Sequence, residues 1–200
     1  MKIVFNFKIV KALATVAALS IGLAAAPARA DGVYFSTRDL LNDFFRSSKT
    51  VTYKKVAIGP AERARLTARL GYAPARDSYT FFVASTGDHV DGYAIIDEEK
   101  GEHLPITFAV KLSPTGVVER QEIVAYREPR GDEVRDDRFR KQFVGKSARD
   151  QIAADCDIVA ISGATISSRA MAVGVKRVVV LFDVLMTTPG PVAQVPLGRM

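Results

Sequence analysis

The residues best suited to chemistry in this chain lie in the stretch 161–168, whose sequence is ISGATISS. Gly163 and Ala164 are small enough to let a ligand approach the backbone, and Thr165 places a hydroxyl at the start of a long apolar helical pattern. The unpaired N–H groups and positive dipole end of a helix start favour an anion such as phosphate. The stretch therefore predicts a phosphate site anchored by Thr165.

The same stretch has an ordinary structural interpretation. Ser, Thr and Gly are common at helix starts, where they cap the first turn without any ligand. The residues of this stretch alone leave both interpretations open.

Two motifs in order resemble the FMN-binding domain family, which includes the C subunit of sodium-translocating NADH:quinone oxidoreductases and the G subunit of Rnf complexes. SGATISS resembles the family's flavinylation motif, in which FMN is joined through its phosphate to the Thr that closes S/T-G-A-T, here Thr165. Residues 126–131 (YREPRG) and 142–146 (QFVGK) are similar to the E-x-x-G and QFxGK stretches of small exported members. The resemblance covers roughly residues 78–185.

The resemblance implies which residues bind the cofactor. These are Ser162, Gly163, Ala164, Thr165, Ser167, Glu128, Arg130 and Gly131. It also brings Phe139 or Phe143 near the isoalloxazine ring and lets Arg130 stabilise the anionic reduced ring. Arg130 as a solvated side chain and Glu128 as an ion-pair partner stay open as alternatives.

One departure from the family pattern affects the function. The usual motif is D-x-x-S/T-G-A-T, and this chain has Val159 in place of the acid, with Asp155 and Asp157 nearby but out of register. In the family, that acid is associated with recognition by the FAD:protein FMN transferase that attaches the cofactor. The leading prediction is an electron carrier with covalent FMN, or with noncovalent FMN as the weaker form of the same prediction, rather than an enzyme with its own substrate. The alternative is a non-catalytic exported binding or interaction module that has lost flavinylation.

The first thirty residues predict a secretory signal peptide. Lys2, Lys8 and Lys11 form a basic start, residues 12–26 are uncharged, and small residues precede a cut after Ala30. The uncharged run is shorter than the about twenty apolar residues that span a bilayer. We therefore expect an exported, periplasmic protein. The family resemblance implies that its redox partners are membrane-bound proteins or cytochromes.

Charge and cysteine content exclude other classes. Loss of the signal peptide removes four cations and no acid, which lowers the net charge from +6 to +2, so a concentrated basic footprint for nucleic acid is absent. Cys156 is the only cysteine, so no intramolecular disulfide can form. His89 and His103 fit no zinc spacing, and no G-x-S-x-G hydrolase motif is present.

The periodicity predicts a one-domain α+β fold, with helices on one side of a mainly antiparallel sheet. A short helix is predicted to start near Ser36, and three further helices are predicted over 61–70, 132–146 and 166–185. The predicted strands cover 50–58, 79–85, 90–97, 106–112 and 117–126. The predicted organisation is a signal peptide (1–30), an N-terminal extension (31–77), an FMN-binding domain (78–186) and a disordered tail (187–200).

Overall fold

The computed structural model describes residues 32–187, so the predicted signal peptide and the tail beyond Thr187 lie outside the described residues. A five-stranded antiparallel sheet has its strands in chain order. The strands are β1 (Thr50–Ala57), β2 (Ser78–Thr86), β3 (His89–Lys100), β4 (Pro105–Leu112) and β5 (Val118–Ala125). The helices are α1 (Thr37–Phe44), α2 (Pro60–Leu70), α3 (Asp137–Arg140) and α4 (Thr165–Phe182). The predicted α+β class, with one domain, is confirmed.

One face of the sheet forms the main core with α4. Alternating side chains of the strands, such as Phe81 and Phe108, are fully buried there against Val175 and Val178 of the helix. Gly174 permits the close approach, because a Cβ at this position would lie 2.6 Å from the ring of Phe108. Helix α4 is therefore seated directly on the central strands.

The opposite face is covered by α1, so the expectation that all helices lie on one side is wrong for this helix. Ser36 caps α1 as predicted, accepting a hydrogen bond from the N–H of Asp39 over 3.2 Å. The apolar side of α1 packs on strand residues that are small or apolar, including Ala84, Ala94 and Ala109. These residues give the second face an apolar surface, and burying it stabilises the fold.

The predicted helix over 132–146 is broken into three short pieces. A 3₁₀ turn (Asp132–Arg135) is followed by α3 and by a second 3₁₀ turn (Lys141–Phe143). The break occurs at Asp136, whose backbone is extended (ψ 133°) and whose carboxylate accepts from the N–H of Arg138 over 2.7 Å. Asp136 thus acts as a helix cap. The predicted burial of Val134, Phe139 and Phe143 is confirmed.

Helix α4 starts one residue earlier than predicted, at Thr165, and its last predicted residues fall in a π-helical turn (Asp183–Thr187). Most of its side chains are buried, as expected of a core helix. Within residues 32–187, no helix is both long enough and apolar enough to cross a membrane.

Candidate functional site

The start of α4 leaves three backbone donors without partners. The N-cap residue is Ala164, which has no side chain able to cap, and its carbonyl accepts from the N–H of Ser168 over 2.8 Å. Between Ala164 and Ser168, the N–H groups of Thr165, Ile166 and Ser167 donate to no acceptor in the described part of the chain. This end of the helix therefore presents the donors that an anion requires.

The turn before the helix is open to solvent. Gly163 has φ +86° and no atom within 4 Å of where a Cβ would lie. The hydroxyls of Ser162 and Thr165 make no hydrogen bond to any residue in the range 32–187, so neither side chain caps the helix. The capping interpretation therefore gives the hydroxyl of Thr165 no role.

Ser168 holds this turn in place, although the motif reasoning did not single it out. Its Oγ accepts from the N–H of Ile161 over 3.1 Å and donates to the carbonyl of Ala164 over 2.8 Å. The side chain is fully buried. Helical periodicity is the signal that could have found it, because position 168 lies on the buried side of α4 and Thr165 on the partly exposed side.

The structure brings the predicted residues Ser167 and Gly131 together. The Oγ of Ser167 lies 2.8 Å from the hydroxyl of Tyr126, which also donates to the carbonyl of Arg130. Gly131 has φ +91°, and a Cβ there would lie 2.6 Å from both hydroxyl oxygens. The hydroxyl of Ser167 is thus occupied, and this residue offers its backbone N–H to an anion.

The carboxylate of Glu128 binds backbone N–H groups of the β3–β4 turn. Its Oε1 accepts from the N–H groups of His103 and Leu104 over 2.6 Å and 2.8 Å. Partial burial raises the pKa of Glu128, but the hydrogen bonds from these two N–H groups lower it by more. The pKa therefore lies below its usual value. Its Oε2 is buried without a hydrogen-bond partner. The carboxylate therefore fastens the 128–131 turn to the β3–β4 turn and keeps one free acceptor.

Of the residues expected near the isoalloxazine ring, Phe139 and Phe143 are buried and Arg130 is exposed. Phe139 and Phe143 are buried and pack edge to face on each other, with 5.4 Å between ring centroids, so neither offers a free face. Arg130 is exposed, and its guanidinium has no partner among residues 32–187. The exposed apolar side chains flanking Thr165 in the sequence are Val159 (74%) and Ile166 (48%), which sequence reasoning did not name as ring neighbours.

Val159 is held by its backbone, with its side chain in solvent. Its N–H donates to Oε1 of Gln142 over 2.7 Å, and its carbonyl accepts from Nε2 of the same amide over 3.1 Å. Gln142 belongs to the QFVGK stretch, so this pair joins the two sequence motifs.

The two acids near Val159 are both engaged. Asp157 accepts from Lys146 Nζ over 2.8 Å and from the N–H groups of Ile152 and Ala153. Burial raises the pKa of Asp157, but these donors outweigh it and lower the pKa to about 2. Asp155, with φ +67°, pairs with Arg169 over 3.0 Å.

The fold and site together define an α+β domain whose core helix begins at an open turn, where three N–H groups have no hydrogen-bond partner among residues 32–187. Residues 101–180 match the model of the FMN-binding domain family. This segment, which contains both the 128–131 turn and Thr165, is similar to FMN-binding domains. At family level, the match supports flavin binding and a role in electron transfer. No curated protein matches the chain.

The observed residues fit the phosphate of FMN. At one helix start lie three N–H groups and a hydroxyl that have no partner in the described part of the chain, next to Gly163, where a Cβ would have no described atom within 4 Å. The flavin supplies the redox chemistry when bound, and the protein binds and orients it. Within the described residues, no group of three or more His, Cys, Asp and Glu side chains is placed to hold a metal ion.

Proposed function

We propose that this protein is an exported electron carrier with FMN joined to Thr165 through a phosphoester. The proposal is carried by the hydroxyl of Thr165 and three nearby N–H groups, which have no hydrogen-bond partner among residues 32–187. They lie within the segment that matches the FMN-binding domain family. Those N–H groups favour the remaining negative charge of a phosphodiester by about 0.3–1 kcal/mol at an exposed helix start.

The attachment is a group transfer from FAD. The Thr165 oxygen attacks the phosphorus on the FMN side of the pyrophosphate and the P–O bond to AMP breaks. The hydroxyl proton is released and AMP leaves. An FAD:protein FMN transferase is the maturation partner. Accessibility supports this step, because Thr165 is partly exposed and the preceding Ser162 and Gly163 are exposed.

A covalent bond to FMN would benefit an exported protein. The predicted signal peptide would carry the chain away from the cytoplasmic FMN pool, and a tethered cofactor is not lost by dilution. Its electron donors and acceptors are then redox proteins at the membrane or cytochromes. This placement depends on the first thirty residues, which lie outside the described residues.

Mass spectrometry of protein co-expressed with the transferase tests the proposal. We expect an FMN-sized increment on the peptide that contains Thr165 and a fluorescent band on a denaturing gel. Thr165→Ala should lose both, whereas the control Thr67→Ala, which removes a hydroxyl on α2 outside the site, should keep both. An unmodified wild-type protein from a host with active transferase would refute covalent attachment.

One observation favours the alternative of a binding or interaction module without attached flavin. Val159 occupies the position of the motif acid, and its side chain is 74% exposed. Asp155 and Asp157 are both committed to other partners. If the missing carboxylate limits recognition by the transferase, Val159→Asp should raise the flavinylated fraction. A wild type with no flavin and a Val159→Asp variant with flavin would favour the alternative.

A further inference from the structure

We propose that Tyr126 is a positioning residue, whose hydroxyl holds the turn 127–131 against the first turn of α4 and thereby sets the environment of the flavin. The proposal rests on the proposed function, because it concerns the site around Thr165. It assigns Tyr126 a role through Ser167, with no direct contact to the cofactor required.

The hydroxyl of Tyr126 joins the end of β5 and the turn that follows it to the start of α4, which is distant in sequence. The residue follows the end of β5, its hydroxyl donates to the carbonyl of Arg130, and the Oγ of Ser167 in α4 lies 2.8 Å away. A side-chain hydroxyl is suited to this task because it both donates and accepts. The turn and the helix start are therefore fixed relative to each other through one oxygen atom.

The phenol is itself firmly held. Tyr126 is 3% exposed, and its backbone N–H donates to the carbonyl of Gly32 over 2.8 Å. Burial raises the pKa of Tyr126, and the hydrogen bond from Ser167 lowers it by less, so the phenol keeps its proton at neutral pH. The group can therefore act as a steady donor to the turn.

The turn residue Gly131 packs tightly against the hydrogen-bonded hydroxyls of Tyr126 and Ser167. Gly131 lies so close to the two hydroxyls that a methyl group would overlap both oxygens. Beyond it, Val134 is fully buried in the core. The turn is thus attached at Tyr126, at Glu128 and at Val134, and the hydroxyl of Tyr126 is the attachment that reaches α4 at Ser167.

The consequence for the cofactor follows from Ser167. Its N–H is one of the three free donors at the helix start, and it lies two residues after the acceptor Thr165. If the hydroxyl of Tyr126 is removed, Ser167 and the turn lose their common partner. The ring would then be held in a looser and more solvated environment, which changes the potential of the flavin.

The experiment compares wild type with Tyr126→Phe, which removes only the hydroxyl, and with the control Tyr93→Phe. Tyr93 is another tyrosine of the core, partly buried, and it packs on Phe182 at the other end of α4, with ring centroids 4.9 Å apart. The measurements are the flavin midpoint potential, the flavin fluorescence anisotropy and amide hydrogen exchange in residues 128–135. Mass spectrometry records the flavinylated fraction of each variant.

We expect Tyr126→Phe to shift the potential, to lower the anisotropy and to speed exchange in the turn roughly tenfold, while Tyr93→Phe leaves all three unchanged. Ser167→Ala should reproduce the effect, and the double variant should add little, since both changes break one link. A folded Tyr126→Phe protein with the wild-type values overturns the proposal, and if Tyr126→Phe does not fold, Ser167→Ala decides it in the same way. If the wild type carries no flavin, the proposed function fails, and the exchange measurement still tests the contact.

Discussion

Arg177 donates from its Nε to Asp97 over 2.9 Å, and the pair is buried between α4 and β3. The guanidinium also donates to Glu99 and to the carbonyl of Glu98. Burial alone would lower the pKa of Arg177, but the two carboxylates raise it above its usual value. This charge cluster fastens the helix that carries Thr165 to the centre of the sheet.

The first prediction concerns this buried pair. Arg177→Ala would leave the buried Asp97 with Arg76, at 2.9 Å, as its one remaining ionic partner among residues 32–187. We expect the free energy of unfolding to fall by about 3–5 kcal/mol, the range for breaking one side of a buried ion pair. Urea unfolding at pH 7 measures the change. Arg65→Ala, which breaks an exposed pair with Glu62, serves as the control and should cost at most about 1 kcal/mol.

Gly131→Ala separates a steric contact from backbone strain. Gly131 and Gly145 have similar left-handed backbones, with φ +91° and +84°, but only Gly131 has atoms where a methyl group would lie. Both substitutions carry the strain of about 1–2 kcal/mol, and Gly131→Ala adds an overlap costing about 1–3 kcal/mol. Denaturant unfolding of the two variants should therefore differ. Equal losses would show that the contact at Gly131 relaxes freely.

Ser168→Ala tests the support of the phosphate turn. The change leaves the N–H of Ile161 without its acceptor and should destabilise the protein by about 1–3 kcal/mol. It should also lower the flavinylated fraction measured by mass spectrometry, since the turn before Thr165 loses its tie to α4. Ser162→Ala removes a hydroxyl of the same turn that has no partner among residues 32–187, and it should leave stability nearly unchanged. A Ser168→Ala protein with normal flavin content would show that the turn is held without this hydroxyl.

Asp157 should make the stability depend on pH in the acid range. Its pKa is about 2 in the folded protein against 3.8 as the ordinary value, so its contribution is present above about pH 4 and is lost as the pH falls through 2. With its carboxylate partly exposed, we expect about 1–2 kcal/mol. Urea unfolding from pH 6 to pH 2.5 should show a weaker pH dependence for Asp157→Asn than for wild type. Parallel curves would refute the role of this carboxylate.

Much of the fold could be predicted because local signals and tertiary structure agree. The alternating strand residues and the apolar pattern of α4 mark the same side chains that the folded protein buries, and the cap at Ser36 is a local hydrogen bond that needs no distant partner. The helix expected over 132–146 failed because Asp136 caps a new helix in the middle of it. The side of the sheet that α1 covers also could not be predicted, since an amphipathic helix fits either apolar face.

The candidate site likewise could be predicted from the sequence only in part. The sequence by itself determined the acceptor, because Ser162, Gly163, Ala164 and Thr165 form a contiguous motif whose small residues and hydroxyl need no distant partner to be recognised. Only the tertiary structure decided that Tyr126 and Ser167 share a hydrogen bond, that Glu128 holds the β3–β4 turn and that Phe139 and Phe143 face the core. Such contacts join residues dozens of positions apart, and their geometry depends on how the sheet and α4 pack, which no local pattern specifies.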